Sequence, residues 1–300
     1  MKHIFIVNPA AGGEDSSKHI ADKLRDIDID TELYVTQSPR DATRYVRERC
    51  QAAEGEVLRF YACGGDGTLN EVVSGAVGTP TAEVGCYPCG SGNDFIRSFD
   101  KADFTDIEGL IHAPAHTVDV MRLGDRCCIN TLNFGFEAEV CRTMADVRRK
   151  PLIGGHMAYT TSIVKSLATS RRNPCRITVD GVSWHNGDLL LAGVANGMYA
   201  GGGYRCAPRA VPDDGWLEVM AIRPMSIPRF AKMIGSYERG THLDDERLTD
   251  VVSYRRGKHI VLESDHPFYI AIDGELLQGV RFDVECLPLA LNFIVPTKHK

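Results

Sequence analysis

The stretch YACGGDGTLNEVVSG, Tyr61 to Gly75, sets Gly64, Gly65 and Gly67 around Asp66. Without a Cβ, these glycines leave the backbone N–H groups open to a negatively charged ligand, and a helix starting here favours an anion at its N-terminus. A tight turn needing positive φ is the structural alternative for any one pair of them. An aspartate beside phosphates is repulsive unless a cation or a proton-transfer task accompanies it. The grouping therefore points to a magnesium–nucleotide complex. Thr68 and Glu71 also have the spacing of a capping box.

Two more loops have the same texture, Asn8-Pro9-Ala10-Ala11-Gly12-Gly13 and Pro88-Cys89-Gly90-Ser91-Gly92-Asn93-Asp94. The elements around them alternate. HIFIVNP, TELYV, Val57 to Ala62 and AEVGCY read as strands; Ser16 to Ile27, Asp41 to Ala53 and Thr68 to Val77 read as helices, and NDFIRSF opens another. Strands separated by helices of this length form a parallel sheet covered on both faces, with ligands beyond the carboxyl ends of the strands. All three loops fall at those ends, which favours one shared site.

After about Gly124 the texture changes to strand-like runs punctuated by Gly, Asp and Asn: RCCINTLNF, PCRITVDG, DLLLAGVANG, WLEVMAI, VVSYRR, HIVLE, PFYIAID and VRFDVECL. Glu137 to Arg149, Gly155 to Ser170 and Ser226 to Tyr237 are the helical exceptions. The division expected is an α/β nucleotide-binding domain over 1–124 and a β-rich substrate domain over 125–287. The last run, 288–300, is a candidate to rejoin the first domain.

The chain has 300 residues, a net charge of −6 and ten cysteines. Its pI near 5.9 argues against general nucleic-acid binding, which shows as a basic excess. No apolar run is long enough for a signal peptide or a bilayer span, so the expected location is cytoplasmic and the cysteines reduced. Cys86 and Cys89 form a CxxC, but one pair cannot complete a tetrahedral zinc site, and both read as packing residues. The basic runs Arg148 to Lys150 and Arg171-Arg172 read as solvated faces in preference to membrane contacts.

VNPAAGG, GGDGTLNEV, PCGSGNDF, TVDV, NFGFEAEV, ANGMYAGGGYRCAPRAVPDDGWLEV and IDGE stand in one order along almost the whole chain. In that order they resemble the diacylglycerol kinase catalytic family, in its bacterial soluble lipid kinase branch. NAD kinases share GGDGT but carry a Thr-Pro-Thr-Gly-Ser-Thr-Ala-Tyr stretch that is absent here, as is the P-loop pattern GxxxxGK[ST]. The resemblance implies an α/β N-terminal domain with a parallel sheet, of NAD kinase/diacylglycerol kinase type. It also implies a β-rich, two-layer or barrel-like C-terminal domain, with the site in the cleft between the two. ATP would lie over Gly64, Gly65, Asp66, Gly67, Thr68, Leu69 and Asn70, with Asn8, Thr36 and Ser91 nearby. A turn or helix-cap hydroxyl is the alternative for Thr36.

Asp66, Asp94, Asp119 and Asp273 match family acids that form a Mg²⁺ and water network around the phosphates, which suits an ion that keeps several of its waters. Taken alone, Asp94 reads as a helix cap and Asp119 as a surface strand residue. A second, structural Mg²⁺ is implied at AVPDDGW, through the Asp214 side chain and the carbonyls of Val211 and Trp216; an ordinary turn is the alternative. Glu275 matches the proton acceptor for the incoming hydroxyl, though an acidic hairpin tip would look the same. The resulting expectation is an ATP- and Mg²⁺-dependent kinase of a lipid hydroxyl, most simply diacylglycerol giving phosphatidic acid, working peripherally at a membrane surface. A sphingoid base, phosphatidylglycerol or a soluble alcohol as acceptor, or a non-catalytic nucleotide-binding regulator, are the rivals. Homo-oligomerisation is left open.

Overall fold

The structure is a computed structural model, and it describes residues 1–13, 16–25, 27–90, 92–100, 102–148, 166 and 171–297. Ser91, His156, most of the expected helix Gly155 to Ser170 and the side chains of the Arg148 to Lys150 run lie outside the described residues.

The N-terminal half runs Lys2–Val7 (β1), Ser17–Leu24 (α1), Thr31–Val35 (β2), Asp41–Ala52 (α2), Leu58–Gly64 (β3), Asp66–Ala76 (α3) and Ala82–Pro88 (β4). The strands lie in the order β4-β3-β1-β2, all parallel. Ile4, Phe5, Ile6 and Val7 are fully buried, as are Phe60, Tyr61, Ala62 and Cys63. Such unbroken apolar runs are what a sheet covered on both faces requires. On α3, Leu69, Val72, Val73 and Ala76 make one buried face, the 3.6-residue stripe of a helix lying on that sheet.

The expected capping box at α3 does not form. Glu71 instead accepts from the backbone N–H groups of Arg40 (2.9 Å) and Ala42 (3.2 Å), and so caps the start of α2. NDFIRSF makes only a short 3-10 turn, Phe95–Ser98. Phe95 is fully buried edge-on to Phe99 and Phe293, and the Asp94 side chain makes no cap there.

A short helix, Ile107–His112 (α4), leads to Ala115–Leu123 (β5), Arg126–Cys128 (β6), Thr131–Gly135 (β7) and Phe136–Arg148 (α5). Then follow Asn173–Val179 (β8), Val182–Leu189 (β9), Leu191–Ala195 (β10), Leu217–Ile222 (β11), Ile227–Arg239 (α6), Val252–Gly257 (β12), His259–Ile272 (β13) and Glu275–Ile294 (β14). Strands β12-β11-β10-β7-β13-β14 are antiparallel neighbours, with β8 and β9 added on β13. Leu132, Phe134, Ile177, Val194, Val219 and Leu262 form the core of this β-rich half. Phe230, Met233 and Tyr237 of α6 pack in a separate cluster with Phe136 and Val140. Gly240 ends α6 in the left-handed conformation (φ 71°), its N–H returning to the carbonyls of Ser236 and Tyr237.

Two pairs of expected strands are continuous. HIVLE and PFYIAID are both within β13, with a register shift between Glu263 and Phe268. VRFDVECL and the last run as far as Ile294 are both within β14, which shifts register between Leu287 and Leu291 against β5. Past that irregularity, Asn292 and Phe293 pair in parallel with Glu83 and Val84 of β4. One strand thus serves both halves, antiparallel at its start and parallel at its end. No helix among the described residues is long and apolar enough to cross a membrane.

Candidate active site

Strands β1, β3 and β4 bring their three following loops together backbone against backbone. The Gly64 carbonyl accepts from the N–H groups of Cys89 and Gly90, both at 3.0 Å. A Cβ on Gly90 would stand 2.4 Å from the Gly65 Cα, and one on Gly92 would stand 2.2 Å from Asp66 Oδ2. Neither glycine has positive φ, nor do Gly64, Gly65 and Gly67. Close approach of loop to loop, not turn strain, is what Gly90 and Gly92 provide. Gly67 is the exception. It is the second residue of α3, and an added Cβ would meet nothing within 4 Å. Neither packing nor backbone strain accounts for it.

Asp66 fastens the loops. Its Oδ2 accepts from the Asn93 N–H (2.8 Å) and its Oδ1 from the Asp94 N–H (2.7 Å). Asn8 joins from the first loop, its Nδ2 donating to Thr68 Oγ1 at 3.2 Å. Asp94 reaches across to the other half of the chain, where its Oδ2 accepts from the Gly202 N–H at 2.8 Å. This corrects the helix-cap reading and gives the glycine triplet at Gly201 to Gly203 a use. Asp94 Oδ1 is buried without a hydrogen bond; Arg97 Nε lies 3.3 Å away. Burial holds the Asp94 carboxyl above its ordinary pKa, and the neighbouring Asp66 charge adds to the rise. An acid oxygen in that state is one a hydrated cation would satisfy.

Asp273 is filled from within the protein. Oδ1 accepts from the N–H groups of Asn130 (3.2 Å) and Thr131 (3.0 Å) and from the Cys128 thiol (3.2 Å). Oδ2 accepts from the Ile129 N–H (2.9 Å) and Asn70 Nδ2 (2.8 Å). Burial raises its pKa, while these donors act to lower it. Asn70 also donates to the Cys127 carbonyl at 2.9 Å, so helix α3 is pinned to the β-rich half beside the turn that carries Glu275. Glu275 itself is a third exposed and lies 3.0 Å from Arg126 Nη1.

Other expected residues fall elsewhere. Leu69 is a core side chain, and its N–H closes the first turn of α3 onto the Gly65 carbonyl; it has no side-chain part in a site. Thr36 donates its N–H to the Val7 carbonyl, while Asp41, not Thr36, accepts at the start of α2, from the Gln37 N–H.

Asp119 belongs to a second acidic centre. Fully buried, it accepts from the N–H groups of Gly215 (2.6 Å) and Leu289 (2.8 Å) and donates its own N–H to the Pro212 carbonyl. The loop it fastens is the one expected to hold a structural Mg²⁺. There Asp214 Oδ1 accepts from the Trp216 N–H at 3.0 Å and Oδ2 bonds the Arg256 guanidinium. With both oxygens occupied, Asp214 does not fit a metal ligand, and the set with the Val211 and Trp216 carbonyls is incomplete. Among the described residues, no three His, Cys, Asp or Glu side chains converge as a metal cage.

Arg97, Arg126 and Arg256 were not singled out by the sequence. Only Arg256 left a usable signal: drawing WLEVMAI antiparallel to VVSYRR sets it opposite Glu218.

Residues 2–123 match the family model of the diacylglycerol kinase catalytic domain, and residues 130–295 that of the YegS C-terminal NAD kinase beta sandwich-like domain. The chain is 27% identical over 300 residues to a "Probable lipid kinase YegS-like" of Enterobacter sp. (strain 638), covering 98% of this chain and 95% of that protein. It is 29% identical over 299 residues to a protein of the same name from Klebsiella pneumoniae (strain 342), covering 98% and 95%. A crystal structure of a diacylglycerol kinase from Bacillus anthracis str. Sterne superposes with a TM-score of 0.67 at 21% identity, over 98% of this chain and 96% of the other, which shows a shared fold. The chain belongs to the diacylglycerol kinase catalytic family, in the group that carries the YegS C-terminal domain.

Proposed function

We propose that this protein is a lipid kinase that transfers the γ-phosphate of ATP, with Mg²⁺, to a lipid hydroxyl, diacylglycerol giving phosphatidic acid being the first choice. The observation that carries the reading is the seam itself. Three small-residue loops meet there: Asp66 ties the second to the third, Asn8 ties the first to Thr68, and Asp94 Oδ1 sits among them, buried without a hydrogen bond beside Arg97. The N-terminus of α3 offers N–H groups and a favourable dipole to phosphate, and Gly67 leaves that approach clear. Asp94 would hold the metal through its water shell; bound there, Mg²⁺ neutralises charge on the transferring phosphoryl group.

Asn70 and Asp273 fix the distance between α3 and the turn bearing Glu275. Glu275 then accepts the proton of the incoming hydroxyl, its carboxylate held in place by Arg126. A lipid acceptor requires the cleft to meet a membrane surface, so the protein works in the cytoplasm in peripheral contact with lipid.

Labelled ATP offered with micelles of diacylglycerol, a sphingoid base or phosphatidylglycerol, or with free glycerol, tests this reading. Label in phosphatidic acid is the expected result. Label in another acceptor changes the substrate, and ATP binding with no labelled product would make the protein a nucleotide-binding regulator.

A further inference from the structure

The loop from Val211 to Trp216 is where the family resemblance implies a bound structural cation, yet the chain brings a cation of its own. Strand pairing sets Arg256 of β12 opposite Glu218 of β11. From there the guanidinium reaches back over the start of β11 and makes three contacts. One nitrogen bonds Asp214 Oδ2. Nε lies 3.0 Å from Glu218 Oε1, on a side chain only 3% exposed. The face of the guanidinium lies over the Trp216 ring at 5.6 Å, an arrangement suited to a planar, delocalised cation.

The carboxylate left over in this centre, Asp119, takes N–H groups of Gly215 and Leu289 instead. Burial raises the pKa of Glu218, and a hydrogen bond from Tyr254 and then the Arg256 charge oppose that rise. Removing Arg256 would therefore leave Glu218, with the Tyr254 hydroxyl still bonded to it, facing Asp214 without its ion-pair partner.

We infer that Arg256 is the resident cation of the 211–216 loop and stands in place of a structural metal ion, so that this part of the fold forms and holds without Mg²⁺. Trp216 is then the surface over which the guanidinium lies. The inference is independent of the proposed catalytic reaction, because it concerns a centre that the nucleotide loops do not touch through Asp214 or Arg256.

The test is thermal melting of the full-length, nucleotide-free protein in EDTA and in millimolar Mg²⁺, for the parent, Asp214→Asn and Arg256→Ala, with Mn²⁺ binding followed by electron paramagnetic resonance. The expected result is that parent and Asp214→Asn respond alike to Mg²⁺ and bind the same amount of Mn²⁺. Arg256→Ala should melt about 3–6 °C lower, as loss of one partner of a partly buried ion pair predicts. A Mg²⁺-dependent rise in the parent that Asp214→Asn abolishes, with loss of one bound Mn²⁺, would overturn the inference. So would an Arg256→Ala protein that melts with the parent. Should Arg256→Ala fail to fold, the comparison of parent with Asp214→Asn still decides.

Discussion

The chain carries two acidic centres, and they are neutralised in different ways. At the seam between the halves, Asp66 and Asp273 are met by backbone N–H groups, an amide and a thiol, while Asp94 has one buried oxygen with no hydrogen bond and Arg97 3.3 Å away. Under the 211–216 loop, Asp214 and Glu218 share a full positive charge from Arg256. The Arg256 guanidinium bridges two acids, whereas Arg97 lies beside Asp94 alone and Asp66 and Asp273 meet only dipoles, which orient a carboxylate without cancelling its charge. On the function proposed above, the difference separates a place that receives a metal–nucleotide complex from a place that holds a loop.

The largest expected effect is at Glu275. Glu275→Gln should lower kcat by about 10²–10⁴-fold, the usual worth of general-base assistance, with ATP binding little changed. Asp273→Asn should behave differently, because an amide would press its own N–H₂ against donors at Ile129, Asn130 and Thr131. A stability loss of about 1–3 kcal/mol is expected for it, read by denaturant unfolding. Full activity in a folded Glu275→Gln protein would reduce the acidic turn to scaffolding.

Asp94→Asn comes next. It should weaken Mg·ATP binding by about 10–100-fold, as loss of an outer partner of a metal does, and leave binding of ATP in EDTA nearly unchanged. The parent should also show a pH dependence that the variant lacks. Native Asp94 keeps its proton to higher pH than an ordinary aspartate. As pH falls through that raised pKa, the residue loses the charge that attracts the metal, and Mg·ATP affinity drops with it. Stability moves the other way, since the native state binds more protons in that window and gains from their uptake. Identical pH profiles for parent and Asp94→Asn would sever Asp94 from the metal.

A smaller effect lies outside both centres. His3, with Nδ1 2.8 Å from the Tyr61 hydroxyl, is pushed by burial from 6.5 to about 4. Its contribution is present above pH 6.5 and is lost as pH falls towards 4. Melting temperature measured across that range should fall less steeply for His3→Phe than for the parent.

The fold was legible where the signals are local. Buried runs such as Ile4 to Val7, and the stripe of Leu69, Val72, Val73 and Ala76, announce a covered parallel sheet and its helices. The loops were legible too, since small residues at strand ends need no distant partner to be noticed. What escaped was decided by long-range pairing. Glu71 prefers the N–H groups of Arg40 and Ala42 on another helix to the start of its own. Which acid keeps a free oxygen depends on Asp66 meeting Asn93 and Asp94, and on Asp273 meeting Asn70 and Thr131. Asp119 and Asp214 fell into one centre because β14 returns past the loop before joining β4. No periodicity in the sequence carries such information.

The claim that the N-terminus of α3 is the phosphate site turns on Gly67, whose lack of a side chain no contact in the protein requires. The deciding measurement is the melting temperature and the calorimetric Mg·ATP affinity of Gly67→Ala against the parent. Alanine favours a helix by up to about 1 kcal/mol over glycine, so the variant should melt at or above the parent temperature while binding Mg·ATP at least about tenfold more weakly. A Gly67→Ala protein that melts as high and binds Mg·ATP as tightly as the parent would contradict the account.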